Sequence, residues 1–282
     1  MLLQKEKIKQ SSEKNKNIFF QRFFLGGARN HIRKTTVHDS WLNLGIMEKN
    51  CAGLIQNKKL FENMNIVSGV SYSLEYGFIN KYMKNEVYNH ITKAVNSLNK
   101  LPAREIIFYS DGCLYGIEIA KKMGLSLDFT PISIVEWLAK EVEKLSKNIH
   151  PLNKKVALYL PYYLSRNDRL CALIYKLLDN IGVELVELQY DQNNNQPTST
   201  FGYFGLLTGN IFNDSEITEN YIDEIIVDSC KANADYLVTF CPFQYAALAT
   251  AATTNNIIPI QIEDLITLAL YKEHSEGGLR IL

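Results

Sequence analysis

Cysteine is the residue type in this chain whose chemistry and spacing point to a site. The chain has five cysteines. Three of them, Cys51, Cys113 and Cys241, stand in short segments that read as turns, "NCAGL", "DGCLYG" and "FCPFQ". A thiolate in such a turn can bind iron, although cysteine after a buried strand is also a common small core residue. The odd number and the absence of a Cys-x-x-Cys pair argue against disulfides and zinc, so we expect reduced thiols.

Other residue patterns do not indicate chemistry. The five histidines are scattered, without an HExxH or His–Cys grouping that would bind a metal. The glycine-rich stretch "FGYFGLLTGN" lacks both the GxGxxG order and the lysine of a phosphate-binding loop. The sequence identifies neither a Ser–His–Asp set nor a carboxylate pair. We therefore predict no catalytic residue and no metal site, and we keep the three cysteines as the only candidate site residues.

The elements that would position these cysteines alternate between strand-like and helix-like patterns. Strands are predicted at 105–110, 156–160, 183–190 and 236–240, and apolar residues at helical spacing predict helices near 83–98, 167–180 and 222–230. Strands separated by helices predict an α/β fold with mostly parallel sheets flanked by helices.

An internal repeat accounts for this order. Pro131 follows Cys113 by 18 residues, and Pro259 follows Cys241 by the same interval, each leading into a strand and a helix that starts with an acidic residue. The segment 19–30 is predicted to match 154–167 as the opening strand of each repeat. The fold is therefore predicted as two tandem, internally repeated α/β modules, at 19–150 and 151–282, after a disordered basic tail at 1–18.

Composition limits the partners. Thirty basic and thirty acidic residues cancel, so no overall field attracts nucleic acid. No apolar run approaches the length of about 20 residues that spans a bilayer. We expect a cytoplasmic protein that contacts the inner face of a membrane only indirectly, through a complex.

Two such halves, each with a strand leading to a cysteine turn, resemble the CCG-domain, or cysteine-rich domain, family. The segments "ADYLVTFCPFQYAALA" and "IPIQIEDLITLAL" carry the resemblance most closely. The family includes cysteine-rich subunits of heterodisulfide reductase and of succinate dehydrogenase. The resemblance implies two CCG modules whose thiolates hold iron–sulfur clusters and exchange electrons with partner subunits.

Most of the cluster ligands that the resemblance implies are missing. Gly27, Ala52 and Gly116 stand at ligand positions in the first module. In the second module, Tyr162, Thr200, Phe201 and Gln244 do so. Cys51, Cys113 and Cys241 would be the remnant ligand positions. Since a cluster needs about four converging thiolates, we expect no bound cofactor.

We therefore predict a non-catalytic or scaffold subunit of an electron-transfer complex of the succinate dehydrogenase/fumarate reductase or heterodisulfide reductase kind. Its partners would be flavoprotein and iron–sulfur subunits, with no nucleic acid. An active redox subunit with an atypical iron–sulfur cluster is the first alternative. A small-molecule-binding α/β module is the second.

Overall fold

A computed structural model describes residues 30–35, 39–45, 59–74, 84–188, 215–240 and 242–272. The chain divides into two compact units. Unit 1 takes its described residues from Met1–Ala52 and Asn63–Ile134, and unit 2 from Gly53–Glu62 and Val135–Leu282. The helix that begins at Ile134 thus belongs almost entirely to unit 2, whereas the predicted modules divide at residue 150. The boundaries of the two predicted repeat modules, 19–150 and 151–282, stay a prediction.

Unit 1 is built on one sheet with the strand order β1-β3-β2-β4-β5. Strand β1 is antiparallel to β3, and the other neighbours are parallel. The strands are β1 His31–Arg33, β2 Ser40–Asn43, β3 Asn65–Ser68, β4 Glu105–Phe108 and β5 Thr130–Ser133, and the helices are α1 Lys84–Leu98 and α2 Asp111–Lys122.

Unit 2 contains a second, fully parallel sheet with the order β7-β6-β8-β9. Its strands are β6 Lys154–Leu158, β7 Val183–Leu185, β8 Tyr236–Thr239 and β9 Ile258–Gln261. Its helices are α3 Ile134–Lys144, α4 Tyr162–Ser165, α5 Asp168–Asn180, α6 Ser215–Lys231, α7 Pro242–Thr254 and α8 Ile262–Tyr271, with short 3-10 turns at Lys59–Phe61 and Ser146–Asn148.

Helix α5 shows how the sequence signals become structure. The side chain of Asn167 accepts a hydrogen bond from the amide of Leu170 at 3.1 Å and so caps the helix. The apolar positions Leu170, Ile174, Leu177 and Leu178 are all buried, as their spacing predicts. The helix ends before Gly182, whose positive φ of 69° suits glycine.

The two sheets confirm the predicted fold of two internally repeated α/β modules with mostly parallel sheets. Strands β3-β2-β4-β5 follow the same order as β7-β6-β8-β9, so β2 corresponds to β6 and β4 to β8. This correspondence corrects the predicted alignment of the opening strands. In the first repeat, the strand equivalent to β6 is β2 at Ser40–Asn43. The segment 19–29 lies outside the described residues.

Each sheet buries apolar side chains against its helices. In unit 1, Trp41, Val67 and Phe108 of the sheet pack with Ile91 of α1 and Ile117 of α2. In unit 2, Phe61 is fully buried and its ring stacks on Trp137 with 5.3 Å between the ring centroids. No helix in the described part of the chain is both long and apolar enough to cross a membrane.

Candidate functional site

The strand order predicts a crevice at the carboxyl ends of β2 and β4. The chain leaves β2 toward β3 on one side and leaves β4 toward β5 on the other side. In open parallel sheets, ligands bind where the connections diverge in this way. The first unit therefore has its natural ligand position beside Asn43, Gly45, Tyr109 and Ser110, which follow or end these two strands.

Small polar side chains end three of the four parallel strands of unit 1, and Ser110 follows the end of the fourth, β4, by two residues. These side chains are nearly or fully buried: Asn43 0% exposed, Ser68 0%, Ser110 6% and Ser133 1%. At the opposite edge, Ser40, Glu105 and Thr130 are more exposed. Buried polar groups lower stability unless they are hydrogen-bonded, and Asn43 and Ser110 both have hydrogen-bond partners within unit 1.

The loop Gly69–Leu74 between β3 and α1, called here the β3–α1 loop, covers this edge. Four consecutive residues of the loop are held by four different parts of unit 1. Ser71 exchanges hydrogen bonds with the side chain of Asn30, at 2.8 and 3.1 Å. The carbonyl oxygen of Tyr72 accepts from Asn43 Nδ2 at 2.8 Å. The next two residues, Ser73 and Leu74, contact His90 and Cys113.

His90 holds the carbonyl oxygen of Ser73. Its Nε2 lies 2.8 Å from that oxygen and must donate, because a carbonyl oxygen only accepts. Burial lowers the pKa of His90 below its ordinary value, and Lys93 acts in the same direction, whereas the hydrogen bond to Ser73 opposes both. A neutral imidazole is therefore the form that the folded protein favours at neutral pH.

Leu74 is held by both a hydrogen bond and close packing. Its backbone amide donates to Cys113 Sγ at 3.4 Å. Gly116, one turn further along α2, packs so closely that an added Cβ would lie 2.3 Å from the carbonyl oxygen of Leu74. Only glycine allows the loop to approach the helix this closely. The loop is thus held in a fixed position beside the carboxyl ends of the strands.

The end of β2 is joined to the same loop through its backbone. Asn43 Oδ1 accepts from the amide of Gly45 at 2.8 Å, and the amide of Gly69 donates to the carbonyl oxygen of Gly45 at 2.7 Å. Gly69 has φ of +106°, which residues with a side chain rarely adopt. The turn after β2 and the turn after β3 therefore form one connected structure.

Helix α2 begins at this edge. Ser110 is its N-cap, and the serine Oγ accepts from the amide of Gly112 at 3.2 Å. The first turn of a helix carries amide hydrogens without partners inside the helix and the positive end of its dipole, both of which favour a negatively charged group nearby. Within this turn the amide of Gly112 is bonded to Ser110 Oγ, the amide of Cys113 to Ser110 O, and Asp111 is the acidic residue.

Of the three predicted remnant ligand positions, the structure describes only Cys113; Cys51 and Cys241 lie outside the described residues. Cys113 is fully buried among apolar side chains that include Trp41, Phe108 and Ile117. Its sulfur already accepts a hydrogen bond from Leu74. The role of the three cysteines as remnant ligands stays a prediction.

The predicted equivalence of Cys113 and Cys241 is wrong. Strand β4 ends at Phe108 and α2 begins at Asp111, whereas β8 ends at Thr239 and α7 begins at Pro242. The position immediately before the helix is therefore Ser110 in the first repeat and Cys241 in the second. The shared interval of 18 residues to a proline misled the alignment because the connection from β4 to β5 is longer than that from β8 to β9.

The carboxyl edge of the second sheet also carries buried polar groups. Thr239 and Gln261 are paired in register on β8 and β9, and both are fully buried. The amide of Phe240 donates to Gln244 Oε1 at 3.3 Å, and Glu263 is buried in the first turn of α8. Among the described residues of both units, no three His, Cys, Asp or Glu side chains come together in a group that could hold a metal ion.

Comparison with known proteins gives fold neighbours only. No protein-family model and no curated protein matches the chain. An aspartate racemase homologue from Pyrococcus horikoshii aligns with 83% of this chain and 96% of its own, at 14% identity and a TM-score of 0.38. Glutamate racemase RacE1 from Bacillus anthracis aligns at 13% identity over 83% and 78%, with a TM-score of 0.41. Glutamate racemase from Campylobacter jejuni aligns at 11% identity over 86% and 88%, with a TM-score of 0.42. We infer no activity from likenesses at this level.

These findings correct the family prediction. The neighbours are racemases or a racemase homologue, not CCG-domain proteins or components of heterodisulfide reductase or succinate dehydrogenase. The predicted membership of the CCG-domain family is wrong. The predicted role in an electron-transfer complex is wrong as well, both as a scaffold and as a redox-active subunit. So is the prediction of flavoprotein and iron–sulfur partners. One physical reason is visible at Gly116, which was matched to a ligand position but is required for loop packing. Gly27, the other glycine matched to a ligand position in the first module, lies outside the described residues.

Proposed function

We propose that unit 1 binds a small organic anion, such as a dicarboxylate, in the crevice at the carboxyl ends of β2 and β4. The observation that carries the proposal is the preorganised β3–α1 loop beside the buried polar strand ends. Each of its residues from Ser71 to Leu74 is anchored by a separate group. A site whose walls are already ordered loses little entropy when a ligand binds.

The donors at this edge favour a negatively charged ligand. The positive end of the α2 dipole lies at this edge together with the Ser110 hydroxyl, and it acts against the single negative charge of Asp111 in the same turn. A serine hydroxyl can donate to a carboxylate. The proposal needs no metal and no iron–sulfur cluster, and it includes the cytoplasmic location predicted from the sequence.

Substitution of Ser110 by aspartate tests the proposal without removing the helix cap. Aspartate caps helices about as well as serine, but its charge repels an anion at the same place. Asn167→Asp makes the matched change at the cap of α5 in unit 2. Thermal unfolding is measured with succinate, malate, citrate and inorganic phosphate, and with neutral succinamide as the uncharged control.

We expect at least one carboxylate to raise the melting temperature of the wild-type protein and of Asn167→Asp, since ligands stabilise the state that they bind. Succinamide and the Ser110→Asp variant should show no such rise. If no anion of the panel raises the melting temperature, or if Ser110→Asp binds as tightly as the wild type, the proposal is wrong.

A further inference from the structure

A groove lies between helices α3 and α5 of unit 2. Its volume is about 620 Å³, within the range of small-molecule sites. Ala139 and Val142 of α3 and Leu173 and Leu177 of α5 form its apolar lining. Val142 and Leu177 are buried, whereas Ala139 and Leu173 keep part of their surface exposed. The groove thus offers apolar area that a ligand can cover.

An ion pair closes one end of the groove. Arg169 Nη1 donates to Glu136 Oε1 at 2.6 Å, which joins the first turn of α5 to the first turn of α3. Because both partners lie near the start of their helices, α3 and α5 run in the same direction along the groove. The charges of these two residues neutralise each other.

Two turns further along, a second pair of opposite charges lines the groove. Glu143 follows Glu136 by seven residues and Lys176 follows Arg169 by seven, so both stand about 10 Å along their helices from the ion pair. Both side chains are exposed, and among the described residues neither forms an ion pair. The α3 wall also carries Lys140, which has an interaction of its own. Glu143 therefore supplies the carboxylate on that wall and Lys176 supplies the ammonium on the other, above an apolar lining.

We propose that this groove binds a small zwitterion with an apolar body. The ammonium of such a ligand would face Glu143, its carboxylate would face Lys176, and its hydrocarbon chain would cover Ala139 and Leu173. A ligand with one charge satisfies only one wall, and an apolar ligand satisfies neither. Exposed ion pairs contribute little individually, so the apolar contact supplies most of the affinity and the two charges supply the selectivity.

Three probes of similar size separate these contributions. L-Norleucine carries both charges on a six-carbon frame, hexanoate carries only the carboxylate, and hexylamine carries only the ammonium. Calorimetric titration is made on the full chain with Ser110→Asp as background, so that a carboxylate site in unit 1 does not contribute. The result of this titration therefore does not depend on whether unit 1 binds an anion.

We expect saturable binding of norleucine at one site per chain, with hexanoate and hexylamine each weaker by about threefold or more. Glu143→Gln and Lys176→Met should each weaken norleucine by about threefold. Ala139→Trp should abolish binding by filling the groove. Lys147→Met is the control, because Lys147 is exposed on the next turn and does not line the groove.

The charge variants alter exposed side chains, so they keep the test valid even if Ala139→Trp fails to fold. Absence of saturable norleucine binding would overturn the proposal. So would equal affinity for the three probes, or norleucine binding that is unchanged by both Glu143→Gln and Lys176→Met.

Discussion

The side-chain amide of Asn43 donates to the carbonyl oxygen of Tyr72 at 2.8 Å, and so joins the end of β2 to the loop after β3. The same side chain accepts from the amide of Gly45 at 2.8 Å. Asn43 is fully buried, so water could replace a lost partner there only if the loop opened. One residue thus links two of the turns that form the proposed site.

Replacement of Asn43 by alanine should lower the free energy of unfolding by about 3 kcal/mol, since two buried backbone groups lose their partner. Asn99 is the matched control. It makes the same kind of contacts, donating to Ser126 O and accepting from Asp128 N at 3.0 Å each, but at an exposed position. Asn99→Ala should cost about 1 kcal/mol. Urea denaturation measures the free energy of unfolding of both variants. Equal decreases would show that burial does not strengthen the contribution of the Asn43 hydrogen bonds.

Replacement of Gly116 by alanine should displace the β3–α1 loop. A Cβ there would lie 2.3 Å from Leu74 O and 2.5 Å from Leu74 Cβ, so backbone must move. Despite the helix preference of alanine, we expect a net loss of about 2 kcal/mol and faster labelling of Cys113 by a thiol reagent, followed by mass spectrometry.

Gly124→Ala provides the control for this experiment. Gly124 has φ of +74° but open space around its Cβ position, so alanine there is strained without touching the loop. It should cost about 1 kcal/mol and leave Cys113 protected. Faster labelling of Cys113 in Gly124→Ala, or unchanged labelling in Gly116→Ala, would contradict the packing described here.

Acidification should destabilise the protein through His90. Its pKa in the folded state is lowered, first by burial and also by Lys93, so the unfolded chain binds a proton at higher pH than the folded chain does. The contribution of His90 to stability is therefore full above about pH 6.5, the ordinary histidine value, and is lost as pH falls from there through the lowered folded-state pKa.

His90→Gln keeps a donor for Ser73 O and removes the titration. Stability curves measured by urea denaturation between pH 8 and 5 should be flatter for His90→Gln than for the wild type. Lys93→Met should fall between them, because it removes the smaller, charge-based cause of the lowered pKa. Parallel curves for wild type and His90→Gln would refute this assignment.

Cys171 should react with thiol reagents only slowly near neutral pH. Burial raises its pKa, and the negative charge of Asp168 adds to the rise. Its sulfur also donates to the carbonyl oxygen of Leu164 at 3.0 Å. The labelling rate should rise with pH around a midpoint above the ordinary thiol value, and Asp168→Asn should lower that midpoint slightly. A midpoint that Asp168→Asn does not move would exclude the charge effect.

The fold was readable from the sequence wherever one element carries its own periodicity. Strands β4 and β8 and helix α5 follow runs such as "EIIF", "YLVT" and the Leu170–Leu178 stripe. Strands β2 and β3 were missed because "SWLN" and "NIVS" are short and bounded by polar residues. Their burial is set by the neighbouring strands and not by their own pattern.

The candidate site could not be read in the same way. The sequence drew attention to Cys113, yet its sulfur contacts the loop at Leu74. Ser110, which the proposed site uses instead, is marked by no sequence motif. Asn43 and Tyr72 are 29 residues apart in sequence, and Cys113 and Leu74 are 39 apart. Contacts of that separation depend on strand order, which a single sequence does not display. The one local signal in the sequence for the turn after β3 is that residue 69 is a glycine, which can adopt the positive φ found there.

The most direct test of the anion site is an NMR titration of the wild-type chain with succinate, following backbone amide shifts. We expect saturable shifts concentrated at Asn43–Gly45, Gly69–Leu74 and Ser110–Gly112, and none of them in Ser110→Asp. Shifts confined to unit 2, or no saturable shifts at the carboxyl ends of β2 and β4, would contradict the central claim.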